Sequence, residues 1–159
     1  MYLDALEFLD EEREAWRPFE ALESLTDEQL SRPLESVHGW SGRDLIAHMV
    51  SWQEHALAVA RELAVGESSP THIRGDADWD SRGGDTVNAE LLQTWSTLPI
   101  EEVRRRGRTV AGELRGYLTV VPESRWLKHA DHLRFFLDET IDHYAEHRAD
   151  LDAVLAATR

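Results

Sequence analysis

Apolar residues recur every three or four positions along four long stretches of this chain, and that spacing does most to limit how it can fold. The clearest stretch begins after Ser41, a typical helix N-cap, with Asp44 placed where a carboxylate can meet the exposed amides of the first turn. Its other apolar side chains lie within about 40° of Leu45 on a helical wheel: Met49, Trp52, Ala56, Val59 and Leu63. Gly66 is typical of the position that follows a helix. The sequence therefore predicts a helix to about Val65 with one buried face.

The same spacing predicts three other long helices. The first runs from about Leu3 to Leu25, the third begins with Pro99 and reaches about Tyr117, and the last runs from about His132 to Ala157. Two short helical segments are also predicted, a turn opened by the capping box of Thr26 to Gln29 and a brief helix from Asn88 to Trp95. Four long amphipathic helices with few strand signals favour an all-α four-helix bundle.

Residues 66–86 interrupt this pattern. Glycines, serines and a proline are spread through the segment, so it is expected to be irregular. A connection of this length within a compact domain is often a crossover between distant helices, here the second and third long helices of the bundle. No internal repeat or linker divides the chain, and residues 1–159 are therefore expected to form a single domain.

The net charge limits the partners that this chain can have. The sequence contains 17 Lys and Arg residues against 31 Asp and Glu residues, a formal charge of −14 at pH 7. Such a field repels phosphate backbones, so nucleic acid is not an expected partner. The one basic cluster, Arg104–Arg106 with Arg108, is balanced by nearby glutamates and is interpreted as a solvated helix face.

Membrane insertion and secretion are not expected either. The longest apolar run, Ala56–Ala60, is far shorter than the ~20 residues of a membrane-spanning helix. The N-terminal residues include Asp4, Glu7 and Asp10 in place of the basic region of a secretory signal. We therefore expect a soluble cytoplasmic protein without a membrane partner.

Histidine is the metal-binding residue that stands out, because the chain contains eight histidines and no cysteine. On the last predicted helix, His143 and His147 share a face with the core residues Phe136 and Val154. Two imidazoles four residues apart on one helix face can reach the same metal ion. His48, at the edge of the apolar face of the second long helix, is the third candidate ligand.

Other interpretations of the histidines stay open at this point. A histidine at the edge of a core is often a hydrogen-bonded structural residue, which applies most to His48. His129 and His132, three residues apart, form a rival pair. His55 lies further from the apolar face than His48. The remaining two fall in predicted loops and are expected to be solvated: His38 and His72.

The residues beside these histidines do not identify a general acid or base. Glu139 and Glu146 fall on the opposite side of the last predicted helix from its core residues, and Glu146 is interpreted as solvated. Asp150 is a candidate hydrogen-bond partner for His143. Three others are expected to pack in the core or line a pocket: Tyr144, Trp52 and Asn88.

Two motifs resemble the DinB/YfiT-like superfamily of small helical metalloproteins: GWSGRDLIAHMVSW at 39–52 and HYAEH at 143–147. The first motif is similar to the N-terminal domain of mycothiol-dependent maleylpyruvate isomerase. The resemblance implies an up-down-down-up four-helix bundle, a homodimer, and a divalent metal ion bound by three histidines, which by position are His48, His143 and His147. It also implies activity as a thiol-dependent isomerase or S-transferase, or as a hydrolase acting on a small electrophilic molecule.

These inferences together predict a metal-dependent enzyme. Three neutral imidazoles leave coordination positions open, as in catalytic sites, and they suit zinc or nickel. The ion would activate a thiol or a water toward a small-molecule substrate. Without cysteine in the chain, a thiol must arrive as a low-molecular-weight co-substrate. Two alternatives stay open: a non-catalytic bundle that binds or sequesters a metal or small molecule, and a structural bundle whose histidines are satisfied by hydrogen bonds.

Overall fold

The computed structural model describes residues 1–158, and all regular structure among them is helical. In chain order the α-helices are α1 (Ala5–Trp16), α2 (Asp27–Ser31), α3 (Gly42–Val65), α4 (Pro70–Arg82), α5 (Gly84–Ser96), α6 (Ile100–Leu118), α7 (Ala130–Glu139), α8 (Ile141–Glu146) and α9 (Arg148–Ala157). Short 3₁₀ helices lie at Arg17–Ser24, Glu35–Val37 and Glu123–Arg125. No strand occurs within the described residues, so the predicted all-α class is confirmed. No described helix combines the length and the apolar composition needed to cross a membrane.

Helix α3 forms where its sequence predicts and lies at the centre of the core. The Ser41 hydroxyl accepts a hydrogen bond from the Asp44 amide, and the Asp44 carboxylate accepts one from the Ser41 amide at 2.9 Å. The predicted apolar face is buried except at Trp52, which is half-buried. This face packs most extensively against α6. A capped first turn and a continuous buried face together account for the length of α3.

Helix α1 is shorter than predicted because the chain changes from an α-helix to a 3₁₀ helix after Trp16. Pro18 has no amide hydrogen to continue the α-helical pattern, and Arg17–Ser24 forms a 3₁₀ helix instead. Two apolar side chains of this segment still reach the core: Phe19 and Leu22. The capping box predicted at 26–29 is confirmed and begins α2.

The predicted last helix is divided into α7, α8 and α9 by breaks at Thr140 and His147. Thr140 has φ −125° and ψ −98°, and its hydroxyl donates to the Phe136 carbonyl at 2.5 Å. Such hydrogen bonds from threonine to the preceding turn bend helices. A continuous helix over 132–157 is therefore wrong. His143 nevertheless remains buried and the His147 side chain is only 17% exposed, so both still face inward.

The segment expected to be irregular, 66–86, is mostly helical and forms α4 and the start of α5. Ser69 caps α4 by accepting a backbone hydrogen bond, and Pro70 occupies its first turn. No α4 residue is buried, so the helix has no apolar stripe for periodicity to detect. Gly75 lets α4 approach α3 closely, since a Cβ there would lie 2.8 Å from His55 Cε1. The long connection between α3 and α6 is therefore a pair of helices packed on α3.

A polar network crosses the core and joins α1, α3, α6 and α8. Glu12 is 1% exposed, and its carboxylate accepts hydrogen bonds from the Tyr144 hydroxyl at 2.8 Å and from Arg115 at 2.6 Å. Gln53 donates to the same Tyr144 hydroxyl at 2.9 Å. Tyr144 therefore packs in the core as expected, and it also ties α8, which carries His143, to α1 and α3 through hydrogen bonds.

The arginines at the start of α6 pair with acidic side chains. Arg105 and Arg106 bond Glu102 at 2.7 Å and 2.9 Å, and Arg105 is more than half exposed, as expected for a solvated face. Arg104 departs from that expectation, because it is buried and bonds Asp27 at 2.7 Å. Buried arginine is stable here because its charge is paired and its N–H groups have acceptors.

Candidate metal centre

Three histidine rings from separate helical segments meet at one point. His48 comes from α3, His143 from α8, and His147 from the break between α8 and α9. The Nε2 atom of His48 lies 3.0 Å from Nε2 of His143 and 3.1 Å from Nε2 of His147. These three residues form a group whose ligand atoms lie within 4.8 Å of one another. The candidate ligands named from the sequence are therefore neighbours; that they bind a metal ion stays a prediction.

Hydrogen bonding alone does not account for this arrangement. An imidazole nitrogen has one in-plane site, which holds either a hydrogen or a lone pair. His48 Nε2 can therefore satisfy only one of its two neighbours, and the other contact brings nitrogen against nitrogen with no shared hydrogen. A cation among the three lone pairs would satisfy all of them at once. The residues present thus fit a divalent metal ion bound by three histidines.

Burial keeps the ligand candidates in the protonation state that metal binding requires. The pKa of His48 is lowered to about 4 and that of His143 to about 3, in both cases first by burial and then by neighbouring histidines. Both rings are therefore neutral at pH 7, and each has a lone pair available. A metal ion binds only the neutral form of imidazole.

Asp150 orients one of the three rings. Its carboxylate lies 2.8 Å from Nδ1 of His147 and 3.3 Å from Nε2 of His38. A hydrogen on Nδ1 of His147, donated to this carboxylate, leaves the lone pair on Nε2 facing the other two rings. The expectation that Asp150 would bond His143 is wrong, because His147 lies three residues before Asp150, one helical turn away, whereas His143 lies two turns away. His38, expected to be solvated, is 65% exposed but reaches the same carboxylate.

We predict that Asp150→Ala weakens zinc binding by about 10- to 100-fold, the usual cost of losing a carboxylate behind a metal-bound imidazole. The affinity is measured by calorimetric titration of the metal-free protein. Asp152→Ala is the matched control, since Asp152 lies on the same helix but pairs with Arg148 on the exposed surface. Equal zinc affinities for the two variants would contradict an orienting role for Asp150.

The histidine group lies in the wall of a cavity of about 530 Å³. The cavity lies between α3 and the α4–α5 pair, and α7 and α8 close its other side. Its aromatic lining consists of Trp40, Trp52, Trp79 and Phe135. Trp52 therefore lines the cavity as well as packing, and its indole N–H donates to Asn88 Oδ1 at 2.9 Å. The expectation that Asn88 lines a pocket is confirmed.

Glu139 is a cavity residue that the helical wheel misplaced. The wheel puts Glu139 away from the core, but the structure makes it half-buried and part of the cavity lining. Burial and the nearby carboxylates of Asp138, Asp76 and Glu146 raise its pKa to about 8. Glu146 is exposed, as expected, and also lines the cavity. The wheel could not predict that Glu139 is half-buried. Part of the cavity wall that covers it belongs to α4, which was expected to be a loop.

We predict that Glu139→Gln raises the melting temperature of the metal-free protein at pH 8 to 9 and leaves it unchanged near pH 4.5. The folded-state pKa of about 8 lies above the ordinary value of 4.5, so the folded protein holds a proton that the unfolded chain releases between these values. The stability contributed by Glu139 is therefore lost as the pH rises toward 8. Melting curves across this range test it; a difference between the two proteins that does not grow with pH would contradict it.

The other histidines have structural contacts. His129 and His132 stack with ring centroids 3.9 Å apart, and His132 Nδ1 bonds the Arg125 carbonyl at 2.6 Å. His129 caps α7, so this pair holds a helix start in place. His72 is not solvated as expected, because its ring packs 4.4 Å from that of Phe135. Among residues 1–158, the group that could hold a metal is the one containing His48.

Comparison with known protein families agrees with the resemblance seen in the two motifs. The family model described as "Mycothiol maleylpyruvate isomerase N-terminal domain" matches residues 9–152, nearly the whole chain. That family lies within the DinB/YfiT-like superfamily. Comparison with curated proteins and with solved structures finds no match. The chain therefore belongs to the family of mycothiol maleylpyruvate isomerase N-terminal domains.

Proposed function

We propose that this protein is a divalent-metal-dependent enzyme that activates a thiol or a water for reaction with a small electrophilic substrate. The observation that carries the proposal is the meeting of three imidazole rings, those of His48, His143 and His147, in the wall of a cavity. Neutral nitrogen ligands preserve the full charge of a zinc or nickel ion, and three of them leave coordination positions open. The three-histidine group is therefore suited to catalysis more than to a closed structural site.

Each residue of the cavity has a distinct part in this proposal. A bound divalent ion supplies a lowered pKa for a thiol or water and polarises a carbonyl oxygen. The histidines hold the ion, and Asp150 fixes the orientation of His147 through its 2.8 Å contact. The indole rings of Trp52 and Trp79 give the cavity an apolar wall. Glu139 lines the same cavity and, with its pKa raised to about 8, holds a proton at neutral pH in the absence of a ligand.

A low-molecular-weight thiol is the co-substrate that we favour. The chain contains no cysteine, so any sulfur nucleophile must be bound from solution. The family to which the chain belongs is described by its relation to mycothiol, which supports an S-transferase or an isomerase over a hydrolase. We further propose, from the family resemblance and the composition, an up-down-down-up helix order, a homodimer and a cytoplasmic location.

The proposal is tested by metal content and turnover of the same purified protein. We expect one zinc or nickel ion per chain, and consumption of several equivalents of a chromogenic aryl halide when mycothiol, bacillithiol or glutathione is added. His48→Ala should lose both properties, whereas His129→Ala, which changes a histidine outside the group, should keep them. Bound metal without turnover by any thiol or by water would favour a sequestering protein. Absence of metal from the wild type would reject the metal-dependent enzyme.

A further inference from the structure

The cavity beside the three histidines has acidic walls. Four carboxylates line it: Asp76, Asp138, Glu139 and Glu146. No arginine or lysine lies among its lining within residues 1–158. Asp138 pairs with Arg134, whose side chain is 54% exposed, but the other three form no ion pair with arginine or lysine in the described part of the chain. A carboxylate-bearing ligand would meet like charges here, whereas a cation would meet opposite ones.

Aromatic rings form the rest of the same walls. Trp52 and Trp79 lie edge to face with ring centroids 5.6 Å apart, and Trp40 and Phe135 also face the cavity. An alkylammonium group is attracted to the faces of such rings, most strongly to those of tryptophan. Indole rings combined with uncompensated carboxylates are therefore complementary to an ammonium group that carries alkyl substituents.

One acidic group in the cavity lining has no partner. Glu139, half-buried, has no hydrogen bond or ion pair within residues 1–158, unlike Glu54 or Glu102, which bond arginines. Burial and the surrounding carboxylates raise its pKa to about 8, and a cation bound beside it would favour the ionised form of the carboxyl.

We propose that the substrate or co-substrate carries an alkylammonium group, held between the carboxylates of Asp76 and Glu139 and the rings of Trp52 and Trp79. Its reacting end then faces the three histidines across the cavity. This inference names the substrate class of the site and rests on the proposed function for the reaction, although the cation preference itself does not require a metal. A cavity of about 530 Å³ has room for both ends of such a molecule.

The test compares choline with its neutral carbon isostere, 3,3-dimethylbutanol. Both have the same hydroxyl group and nearly the same shape, and the quaternary nitrogen of choline has no lone pair for a metal. Binding is followed by tryptophan fluorescence, since three of the tryptophans line the cavity. We expect choline to bind about tenfold more tightly than the alcohol. The preference should be present in zinc-loaded protein and also after chelation, which separates this inference from failure of the metal proposal.

Variants that remove the carboxylates test whether these groups cause the preference for choline. Glu139→Gln with Asp76→Asn should reduce the preference for choline to less than about threefold, because both ionic partners are removed. Glu28→Gln with Asp10→Asn is the control, the same two charge changes at exposed side chains of α2 and α1. If the double variant melts early, Asp76→Asn alone, at a side chain 71% exposed, provides the same comparison with a smaller loss. Equal binding of the two probes to the wild type, or an unchanged preference in these variants, would overturn the proposal.

Discussion

Replacing His48 with leucine is expected to abolish stoichiometric zinc or nickel binding and to lower the affinity by more than about 100-fold, beyond the usual cost of losing a group behind a ligand. His48 Nε2 is the atom in contact with both other rings, at 3.0 Å and 3.1 Å. Without it, His143 and His147 supply only two ligands from one side of the cavity. Calorimetric titration and metal analysis measure the loss. His132→Leu is the control, a histidine equally buried but bonded to a backbone carbonyl.

The same variant separates a metal centre from a structural hydrogen-bond network. If the rings were held by hydrogen bonds, His48→Leu would leave buried nitrogens unsatisfied and cost about 1–3 kcal/mol. If the three nitrogens are arranged for a cation, the chelated protein should lose little stability, because one unfavourable nitrogen–nitrogen contact is removed. Added zinc should then raise the melting temperature of the wild type but not that of the variant. A large loss of stability in the chelated variant would contradict the metal centre.

Replacing Glu12 with leucine is expected to destabilise the fold by about 3–5 kcal/mol, the cost of breaking a buried ion pair by removing one partner. Glu12 is 1% exposed and accepts hydrogen bonds from Arg115 and Tyr144. Its removal leaves a guanidinium that is only 17% exposed without its carboxylate. Denaturant unfolding followed by circular dichroism measures the change, because all regular structure in the described residues is helical.

A second variant tests whether the lost ion pair is the reason for the lower stability of Glu12→Leu. Arg115→Met in the Glu12→Leu background should recover part of the lost stability, because the uncompensated charge is then absent. Glu11→Leu is the control for the substitution itself, since Glu11 is the neighbour of Glu12 on α1 and its side chain is exposed. If the double variant is less stable than Glu12→Leu alone by the full cost of the Arg115 change, the two residues do not interact and the explanation fails.

Helix α3 and the inward direction of the histidines could be predicted because both depend on short-range rules. The Ser41 capping box and the apolar stripe of α3 lie within a few residues of each other, and each helix turn repeats the same geometry. The apolar face of the last predicted helix also stays buried despite two breaks. Thr140 and His147 interrupt the helix, but the face that carries His143 still points inward. Local spacing therefore identified the three candidate ligands.

Helix α4 and the roles of Glu139 and Asp150 could not be predicted in the same way. No residue of α4 is buried, so its sequence lacks the apolar period on which helix prediction depends. Glu139 is half-buried only because α4 helps to cover the cavity that it lines. Asp150 bonds His147, one helical turn away, and not His143, two turns away; a helical wheel shows the angle between residues but not their distance along the axis.

The sequence by itself determined where most helices lie, the all-α class, the acidic charge and the histidines that face inward, since these depend on composition and on spacing of three or four residues. Only the tertiary structure decided that Nε2 of His48 meets rings 95 and 99 positions further along the chain. It also decided that burial lowers the pKa of His143, and which carboxylates line the cavity beside these rings. Contacts between distant segments and the exclusion of water arise only when the helices pack, and no local pattern contains them.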